Sequence, residues 1–188
     1  MPQDVFTRYA ADYDRWFDEH RAEYRQELAR VRRMAGEAMA PALEIGAGSG
    51  RFTSPLGYGI GLEPSRPLAR LARERGIDMG LGVADQLPFR DGSFRSVLMV
   101  TVLCFLSDPL QGFGKARRVL APGGTFTVAF IERDGEIALR YGKEPVKGRF
   151  LAVARFFSVA EVRALLETAG FRELRTDCHH GFCIFTAR

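Results

Sequence analysis

Apolar residues along the chain fall into short runs separated by segments that carry helix signals. The runs predict strands, and the segments between them start and stop with the residues that are typical of helix ends. The run from Arg95 to Thr101 is apolar at nearly every position, as in a parallel strand covered on both faces. The predicted strands of this part of the chain are Ala42–Ile45, Tyr58–Glu63, Ile77–Leu81, Arg95–Thr101 and Thr125–Ile131.

The C-terminal part of the chain ends in a different pattern. Phe171–Asp177 and Phe182–Ala187 are separated by a tight connection, which predicts an antiparallel hairpin. Before the hairpin, Ser158 followed by Glu161 predicts a capping box that begins a helix ending at Gly170. Alternating strands and helices predict an α/β fold, a three-layer Rossmann-like sandwich with a mostly parallel sheet. Such sheets bind ligands at the carboxyl ends of their strands.

Two segments lie outside the alternating pattern. Residues 1–39 are predicted to form a helical cap in two pieces, and the first piece carries Tyr9, Tyr13 and Trp16 among aromatic residues on all sides. Residues 132–157 form a long insertion after the fifth strand, and its glycines and proline argue against a stable fold of its own. We therefore expect the cap and a mobile, lid-like insertion to cover the ligand edge of the sheet.

The composition indicates one domain, residues 1–188, without an export signal. Of the 188 residues, 46% are hydrophobic, which is enough for one core and too few for two ordinary domains. No run of about 18 apolar residues is present, so we expect a cytoplasmic protein with no membrane partner. The three cysteines do not suggest a disulfide framework, and Cys104 is expected as a reduced thiol in the core.

The positive charge does not indicate a nucleic-acid partner. The formal net charge is +4, but the 27 basic residues are interleaved with 23 acidic residues. The densest basic clusters, Arg30–Arg33 and Arg70–Arg75, are expected to be solvated faces of helices.

The candidate ligand site begins where the first strand enters a glycine-rich turn. Gly46, Gly48 and Gly50 let the backbone approach a ligand closely. Arg51 stands where a dinucleotide fingerprint would have its third small residue, which disfavours pyrophosphate binding. Glu63 ends the second strand, where a carboxylate can accept hydrogen bonds from both hydroxyls of a ribose. A glycine turn and a ribose acid without a phosphate clamp suit S-adenosylmethionine.

Four motifs follow one another along most of the chain. They are Glu44-x-Gly46-x-Gly48-x-Gly50, Gly61-Leu62-Glu63-Pro64-Ser65, Ala84-Asp85-Gln86-Leu87-Pro88-Phe89 and Arg118-Val119-Leu120-x-Pro122-Gly123-Gly124. Together they resemble the class I S-adenosylmethionine-dependent methyltransferases, in the broad group that includes the quinone-biosynthesis enzymes. The resemblance implies a seven-stranded sheet in the order 3-2-1-4-5-7-6, with the last strand antiparallel. It also implies S-adenosyl-L-methionine as cofactor and S-adenosyl-L-homocysteine as product.

The resemblance assigns roles to individual residues. Glu44 would orient the ammonium group of the cofactor, Glu63 would hold the ribose, and the segment around Tyr13 would fold over the bound cofactor. No catalytic residue is assigned, because in-line transfer from a sulfonium needs chiefly positioning and the exclusion of water. The implied cofactor-binding residues are Tyr13, Glu44, Gly46, Ala47, Gly48, Gly50, Glu63, Pro64, Val83, Ala84, Asp85 and Thr101.

The adenine part of the site departs from the family pattern. The related enzymes commonly place an aspartate on the adenine amine at the position of Val83, so adenine recognition is expected to be weaker or rerouted. Asp85 is expected to be a solvent-facing carboxylate at a helix start in preference to an adenine contact.

A group of cysteines and histidines near the C-terminus could suggest a metal site. Side chains on a hairpin alternate between its faces, so four ligands could not readily converge on one ion, and we predict no metal. The residues concerned are Cys178, His179, His180 and Cys183.

The function hypothesis is methyl transfer to a small-molecule acceptor by a monomer or homodimer. The alternative is a non-catalytic adenosyl-binding or interaction protein that keeps the fold, which Val83 and the lack of an obvious general base leave open; a dehydrogenase is a third. Residues 101–105 lack the Asn-Pro-Pro-Tyr type of motif found in amino-methylating enzymes, so a nucleic-acid or protein amide acceptor is not expected.

Overall fold

The structure, a computed structural model, describes residues 2–141 and 145–188. Its sheet has seven strands in the order 3-2-1-4-5-7-6, with β1 to β5 parallel and β7 antiparallel to both of its neighbours. The predicted fold class is therefore confirmed. The strands are β1 (Ala42–Ile45), β2 (Ile60–Glu63), β3 (Asp78–Leu81), β4 (Phe94–Val100), β5 (Leu120–Ile131), β6 (Arg175–His179) and β7 (Phe182–Ala187).

The predicted helix starts after the second and fifth strands are also confirmed. The Ser65 hydroxyl accepts a hydrogen bond from the amide of Leu68, while Ser158 and Glu161 form a reciprocal capping box. These caps satisfy amides that a helix leaves without partners in its first turn. The helices are α1 (Pro2–Arg8), α2 (Ala10–Glu19), α3 (Arg21–Ala35), α4 (Arg66–Glu74), α5 (Pro109–Val119), α6 (Glu136–Tyr141), α7 (Pro145–Leu151) and α8 (Val159–Thr168).

The two segments outside the alternating pattern contain more helices than predicted. The N-terminal cap forms three helices instead of two, with breaks at Tyr9 and His20. The insertion contains the short helices α6 and α7, which the sequence analysis did not predict, and residues 142–144 of it lie outside the described residues. That the insertion has no stable fold of its own and is a mobile lid stays a prediction. Buried Ile137 and Phe150 anchor these short helices on the body of the protein. Tertiary packing thus stabilises helices too short to form alone.

Apolar side chains cover both faces of the sheet. On one face, α5 and α8 contribute Phe113 and Val162 to a core that includes Phe126 of β5. On the other face, Trp16 of α2 and Val31 of α3 belong to a second core. Across the carboxyl edge, α1 and α2 pack on both α4 and α7. This arrangement leaves the strand ends beneath a helical cover.

The C-terminal hairpin corrects the cysteine prediction. Cys178 and Cys183 lie opposite each other in the β6–β7 register, with their Cα atoms 4.1 Å apart, and are joined by a disulfide. The residue spacing did not indicate this pair because only the hairpin register brings the two thiols together. Cys104 is free and buried, as predicted. Within the described part of the chain, no three His, Cys, Asp or Glu side chains are grouped to hold a metal ion.

Two of the arginines that were expected to be solvated have largely buried side chains that form ion pairs. Arg30 lies 3.0 Å from the Asp177 carboxylate and donates to the carbonyl oxygen of Phe182, and Arg75 lies 2.9 Å from Asp14. The solvated-face expectation is therefore wrong for these two positions. In the residues that the structure describes, no helix has the length and apolar character needed to cross a membrane.

Candidate active site

A cavity of about 560 Å³ lies at the carboxyl edge of the sheet. Its floor comes from the ends of β1, β2, β4 and β5, represented by Ile45, Glu63, Val100 and Ile131. Its opposite wall comes from the N-terminal helices and α7. This volume lies within the usual range for small-molecule sites, which are clefts of roughly 300–1,000 Å³.

The structure brings together most of the predicted site residues around this cavity. Glu44 and Ala47 line a narrow adjoining space of about 10 Å³. Gly50 instead packs against α4 and the segment that follows it, since a Cβ atom there would lie 3.2 Å from Cβ of Ala72 and 2.3 Å from Cδ1 of Ile77. The predicted residues that line the main cavity are Tyr13, Gly46, Gly48, Glu63, Pro64, Val83, Ala84, Asp85 and Thr101.

The glycine turn brings the backbone close to neighbouring side chains. Gly46 has a φ of 71°, and a Cβ atom on it would lie 2.3 Å from Cγ2 of Val102. A Cβ atom on Gly48 would lie 3.4 Å from the ring of Tyr13. The left-handed backbone favours glycine at both positions, and at Gly46 the neighbouring Val102 also leaves no room for a Cβ atom.

Glu63 is held in place by the backbone around it. One carboxylate oxygen accepts from the amide of Gly48 at 3.0 Å, and the other accepts from the amide of Ser65 at 2.9 Å. Burial raises the pKa of Glu63 to about 7, although both amide hydrogen bonds act to lower it. Each oxygen keeps a further lone pair, so this carboxylate can accept additional hydrogen bonds from a ligand in the cavity.

Glu44 and Tyr13 provide two more polar groups beside the turn. Glu44 is 2% exposed and accepts a hydrogen bond from the hydroxyl of Thr53. Burial raises the pKa of Glu44 to about 8, with the charge of Glu63 as a smaller contribution. Burial, followed by the charges of Glu63 and Glu44, also raises the pKa of Tyr13. The phenol is therefore neutral at physiological pH and can donate a hydrogen bond.

Asp85 was expected to face solvent, but one of its carboxylate oxygens is buried. Its Oδ1 atom is buried without a hydrogen-bond partner, while its Oδ2 atom accepts from the hydroxyl of Ser107 at 3.1 Å. The chain between β3 and β4 folds against the start of α5, so that a Cβ atom on Gly112 would lie 3.9 Å from Oδ1. The prediction of a solvent-facing carboxylate is wrong because this tertiary contact covers the oxygen. Val83 lines the same end of the cavity.

Thr101 stands at a sharp bend after β4. Its φ is 53°, a conformation that β-branched residues rarely adopt, and its amide donates to the carbonyl oxygen of Ala129 at 2.8 Å. The bend leads into a 3₁₀ turn, Leu103–Phe105, whose Leu103 is buried. Backbone strain of this kind is often found at functional sites.

Sequence reasoning missed four charged residues that join the cap to the glycine turn, here called the arginine clamp: Asp14, Asp18, Arg51 and Arg75. Arg51 lies 2.8 Å from Asp14 and 2.7 Å from Asp18, and Arg75 lies 2.9 Å from Asp14. Burial acts to raise the pKa of Asp14, but the hydrogen bonds from Arg51 and Arg75 prevail and lower it to about 2. The spacing of Asp14 and Asp18, one helical turn apart, was the available signal.

Four rings form a second feature that sequence reasoning did not assemble, here called the aromatic roof: Phe6, Tyr13, Phe105 and Phe150. The centroid of the Phe6 ring lies 5.4 Å from Tyr13, 5.0 Å from Phe105 and 5.2 Å from Phe150. These distances are typical of favourable aromatic contacts. The roof therefore links α1, α2, the turn after β4 and α7 over the cavity.

Comparison with known proteins places this fold in a family. The family described as "Methyltransferase domain" matches residues 43–128. A malonyl-[acyl-carrier protein] O-methyltransferase from Geobacter sulfurreducens is 32% identical, over 92% of this chain and 70% of its own. An uncharacterized protein of Methanocaldococcus jannaschii is 36% identical, over 91% of this chain and 82% of its own. A Mycobacterium tuberculosis protein is 38% identical, and this chain spans 61% of its length.

A solved structure supports the same assignment. The crystal structure of a SAM-dependent methyltransferase from Thermotoga maritima, described as a possible histamine N-methyltransferase, is 34% identical with a TM-score of 0.90, and the match covers 100% of this chain and 99% of that one. This chain therefore belongs to the class I S-adenosylmethionine-dependent methyltransferases, and its cofactor is S-adenosylmethionine. The buried carboxylate of Glu63 and the side-chain-free surface at Gly48 fit an adenosyl group.

Proposed function

We propose that the protein transfers the methyl group of S-adenosylmethionine to a small amine-bearing molecule held in the 560 Å³ cavity. The observation that carries this proposal is the aromatic roof above the glycine turn. A roofed cavity of this size can enclose a cofactor and a small acceptor together. The cover that the described residues of the roof form over this cavity favours a small acceptor over a nucleic acid or a folded protein.

The cofactor would be held by residues along the carboxyl edge. Glu63 would accept hydrogen bonds from the ribose, Glu44 would face the ammonium group, and the backbone at Gly46 and Gly48 would allow close approach. When bound, S-adenosylmethionine supplies a methyl group on a sulfonium, which is already a good leaving group. Ala47 and Gly50 would act by shaping the turn, and Pro64, Val83, Ala84 and Thr101 would line the space around the ligand.

The protein's own residues would position the acceptor and the cofactor and would exclude water from the site. The aromatic roof removes water from the space where the acceptor meets the cofactor, and the neutral hydroxyl of Tyr13 can donate a hydrogen bond there. Such a site accelerates in-line transfer by holding the reacting atoms at attack distance. No group in this account forms a covalent bond to the substrate.

Several features favour an amine over a carboxylic acid as the acceptor. Aromatic faces attract cations, and the buried carboxylate of Glu27 lines the cavity together with Glu63. The one arginine among the described lining residues, Arg155, is exposed at the rim. An anionic acceptor would thus lack a buried cation, whereas an ammonium would find carboxylates that attract it and can take its proton, so that the free nitrogen attacks the methyl carbon while the bond from that carbon to sulfur breaks. The description of the Thermotoga relative agrees with this choice.

The test is turnover with a panel of small acceptors. The protein is incubated with S-adenosylmethionine and with small amines, carboxylic acids, phenols and thiols, and both S-adenosylhomocysteine and the methylated product are quantified by mass spectrometry. We expect N-methylated product and an equal amount of S-adenosylhomocysteine from at least one amine. Methylation of acids alone would overturn the acceptor class. Tight S-adenosylhomocysteine binding without turnover of any acceptor would favour the non-catalytic alternative.

A further inference from the structure

The disulfide between Cys178 and Cys183 lies close to the turn of the β6–β7 hairpin, partly in solvent and partly in the core. Cys178 is exposed, whereas Cys183 is fully buried. The two residues are partners in the hairpin register, and the strands continue for one more pair before the turn. A thiol in solution can therefore reach the bond from the side of Cys178. Exposed disulfides are more easily reduced than covered ones and are often regulatory.

The turn of this hairpin packs on the start of the insertion. The carbonyl oxygen of Gly181 accepts a hydrogen bond from the amide of Glu132 at 2.8 Å. A Cβ atom on Gly135 would lie 2.4 Å from Cα of Gly181, so the two backbones are in direct contact. Beside this contact, Phe182 of β7 and Ile137 of α6 belong to the same apolar core. The tip of the hairpin therefore supports the start of α6.

The contacts continue from α6 to the roof of the cavity. Helix α6 packs on α7, and α7 packs on both α1 and α2. Phe150 of α7 belongs to the aromatic roof, and its ring centroid lies 5.2 Å from that of Phe6 and 5.5 Å from that of Tyr13. Packed elements thus join the disulfide to the helices over the cavity. The two covalent states of the cysteine pair provide the two-state element that such a coupling needs.

The hairpin tip depends on its cross-link because it lies at the edge of the sheet. Strand β6 is the last strand and pairs with β7 alone. The turn consists of His180 and Gly181, whose φ angles are 51° and 83°. The ends of edge strands open with little free energy, and a cross-link restricts that opening. Loss of the disulfide would therefore loosen the surface on which α6 begins.

We propose that Cys178–Cys183 is a site of reversible thiol–disulfide exchange whose state sets how firmly the insertion holds the roof over the cavity. A dithiol reductant attacks as its thiolate, which bonds to Sγ of Cys178 while the bond to Cys183 breaks and Cys183 leaves as a thiolate that takes a proton. The second thiol of the reductant then displaces Cys178 from the mixed disulfide. The cysteine pair gains two electrons, and the dithiol is oxidised to its own disulfide.

The experiment compares the two redox forms of the ligand-free protein. Samples are held in oxidised glutathione or in dithiothreitol, and free thiols are alkylated in denaturant and counted by mass spectrometry. We expect one thiol, that of Cys104, in the oxidised form and three in the reduced form. Hydrogen–deuterium exchange of the α6 and α7 amides should be about tenfold faster after reduction. The amides of β1 and β4 should keep their protection.

Three variants test the route from the disulfide to the roof. Cys178→Ser cannot form the bond, so it should exchange like the reduced wild type in both buffers. Gly135→Ala pushes the insertion away from the hairpin, so it should speed exchange of α6 in the oxidised form and remove the difference between the two forms in α7. Gly114→Ala is the matched control, because a Cβ atom there would meet nothing within 4 Å, and it should keep the wild-type difference.

Each element of the inference can fail separately. Three free thiols in both buffers would overturn the exchange site itself. Equal exchange of α6 and α7 in the two forms of the wild type would overturn the coupling to the roof. A full redox difference in Gly135→Ala would contradict the route through the hairpin tip. None of these results bears on methyl transfer, because every measurement uses protein without cofactor or acceptor.

Discussion

The floor and the roof of the cavity are held by different interactions. On the floor, the backbone amides of Gly48 and Ser65 fix Glu63, and glycine backbone forms the turn. In the roof, aromatic rings from distant parts of the chain meet, and the arginine clamp ties α2 to the turn. Backbone contacts give the floor a fixed shape. The roof depends on contacts between side chains, which can move apart while the sheet stays intact. We therefore expect cofactor recognition to reside in the floor and access to be controlled by the roof.

The largest effect is expected from a change in the floor at Gly46. An alanine there must keep a left-handed backbone and place its methyl group against Val102, so Gly46→Ala should lower the free energy of unfolding by about 3 kcal/mol. Gly76→Ala is the matched control, because Gly76 has a φ of 82° and a Cβ atom added to it would meet nothing within 4 Å. It should lower the free energy by only about 1 kcal/mol. Urea denaturation measures both, and equal losses would show that the turn has room for a side chain.

The second effect concerns the ribose acid of the floor. Glu63→Ala should weaken S-adenosylhomocysteine binding by roughly 1–3 kcal/mol, because it removes a charged hydrogen-bond partner of the ligand. Calorimetric titration measures the change, and a retained cooperative melting transition shows that the fold persists. Glu74→Ala, which removes an exposed carboxylate of α4, should leave the affinity as it is. Full affinity in Glu63→Ala would mean that other residues hold the ribose.

The third effect concerns the roof. Arg51→Gln breaks the ion pairs to Asp14 and Asp18, so the amides of α2 should exchange with deuterium faster, corresponding to about 1 kcal/mol of local opening. The sheet amides should keep their protection. Arg15→Gln is the control, because Arg15 pairs with Asp12 at an exposed position of the same helix. If both variants exchange alike in α2, the clamp does not hold the roof.

The smallest effect is the pH dependence of the floor. The pKa values of Glu63 and Glu44 are raised to about 7 and about 8, so their ligand-free contribution to stability is present below about pH 4.5 and is lost as the pH rises through these values. The cofactor needs the ionised carboxylates, so its affinity follows the opposite trend. Between pH 6.5 and 8.5 we expect an increase of about fourfold from Glu63 alone. Titration in buffers of different ionisation enthalpy should show proton release on binding, and a flat profile would assign these carboxylates to purely structural roles.

The contrast between local backbone geometry and long-range side-chain contacts also explains how much could be predicted from the sequence. The strand order came from the family resemblance, while the capping box at Ser158 and the glycine turn came from short spacings that report local backbone geometry. The Cys178–Cys183 pair depended on hairpin register, and the covered oxygen of Asp85 depended on how α5 packs. Contacts of that kind are set by tertiary structure, which no local pattern encodes.

The helices of the insertion could not be predicted for a related reason. Its glycines and proline correctly indicated weak intrinsic helix formation, but Ile137 and Phe150 gain burial against the body of the protein. The residues of the arginine clamp were visible as charges, yet their pairing joins α2 to the glycine turn and to the end of α4, which lie far along the chain. Only the folded structure shows that Arg51 and Arg75 form ion pairs with Asp14 of the cap.

The central claim is that the roofed cavity binds an adenosyl cofactor, and the melting temperature with ligands tests it most directly. A saturating, hundredfold excess of S-adenosylhomocysteine over its dissociation constant should stabilise the protein by about 2.7 kcal/mol. NAD and ATP should give no shift at the same concentrations, because the glycine turn has neither a pyrophosphate-binding pattern nor a P-loop pattern. A shift with NAD alone, or no shift with S-adenosylhomocysteine, would contradict the account.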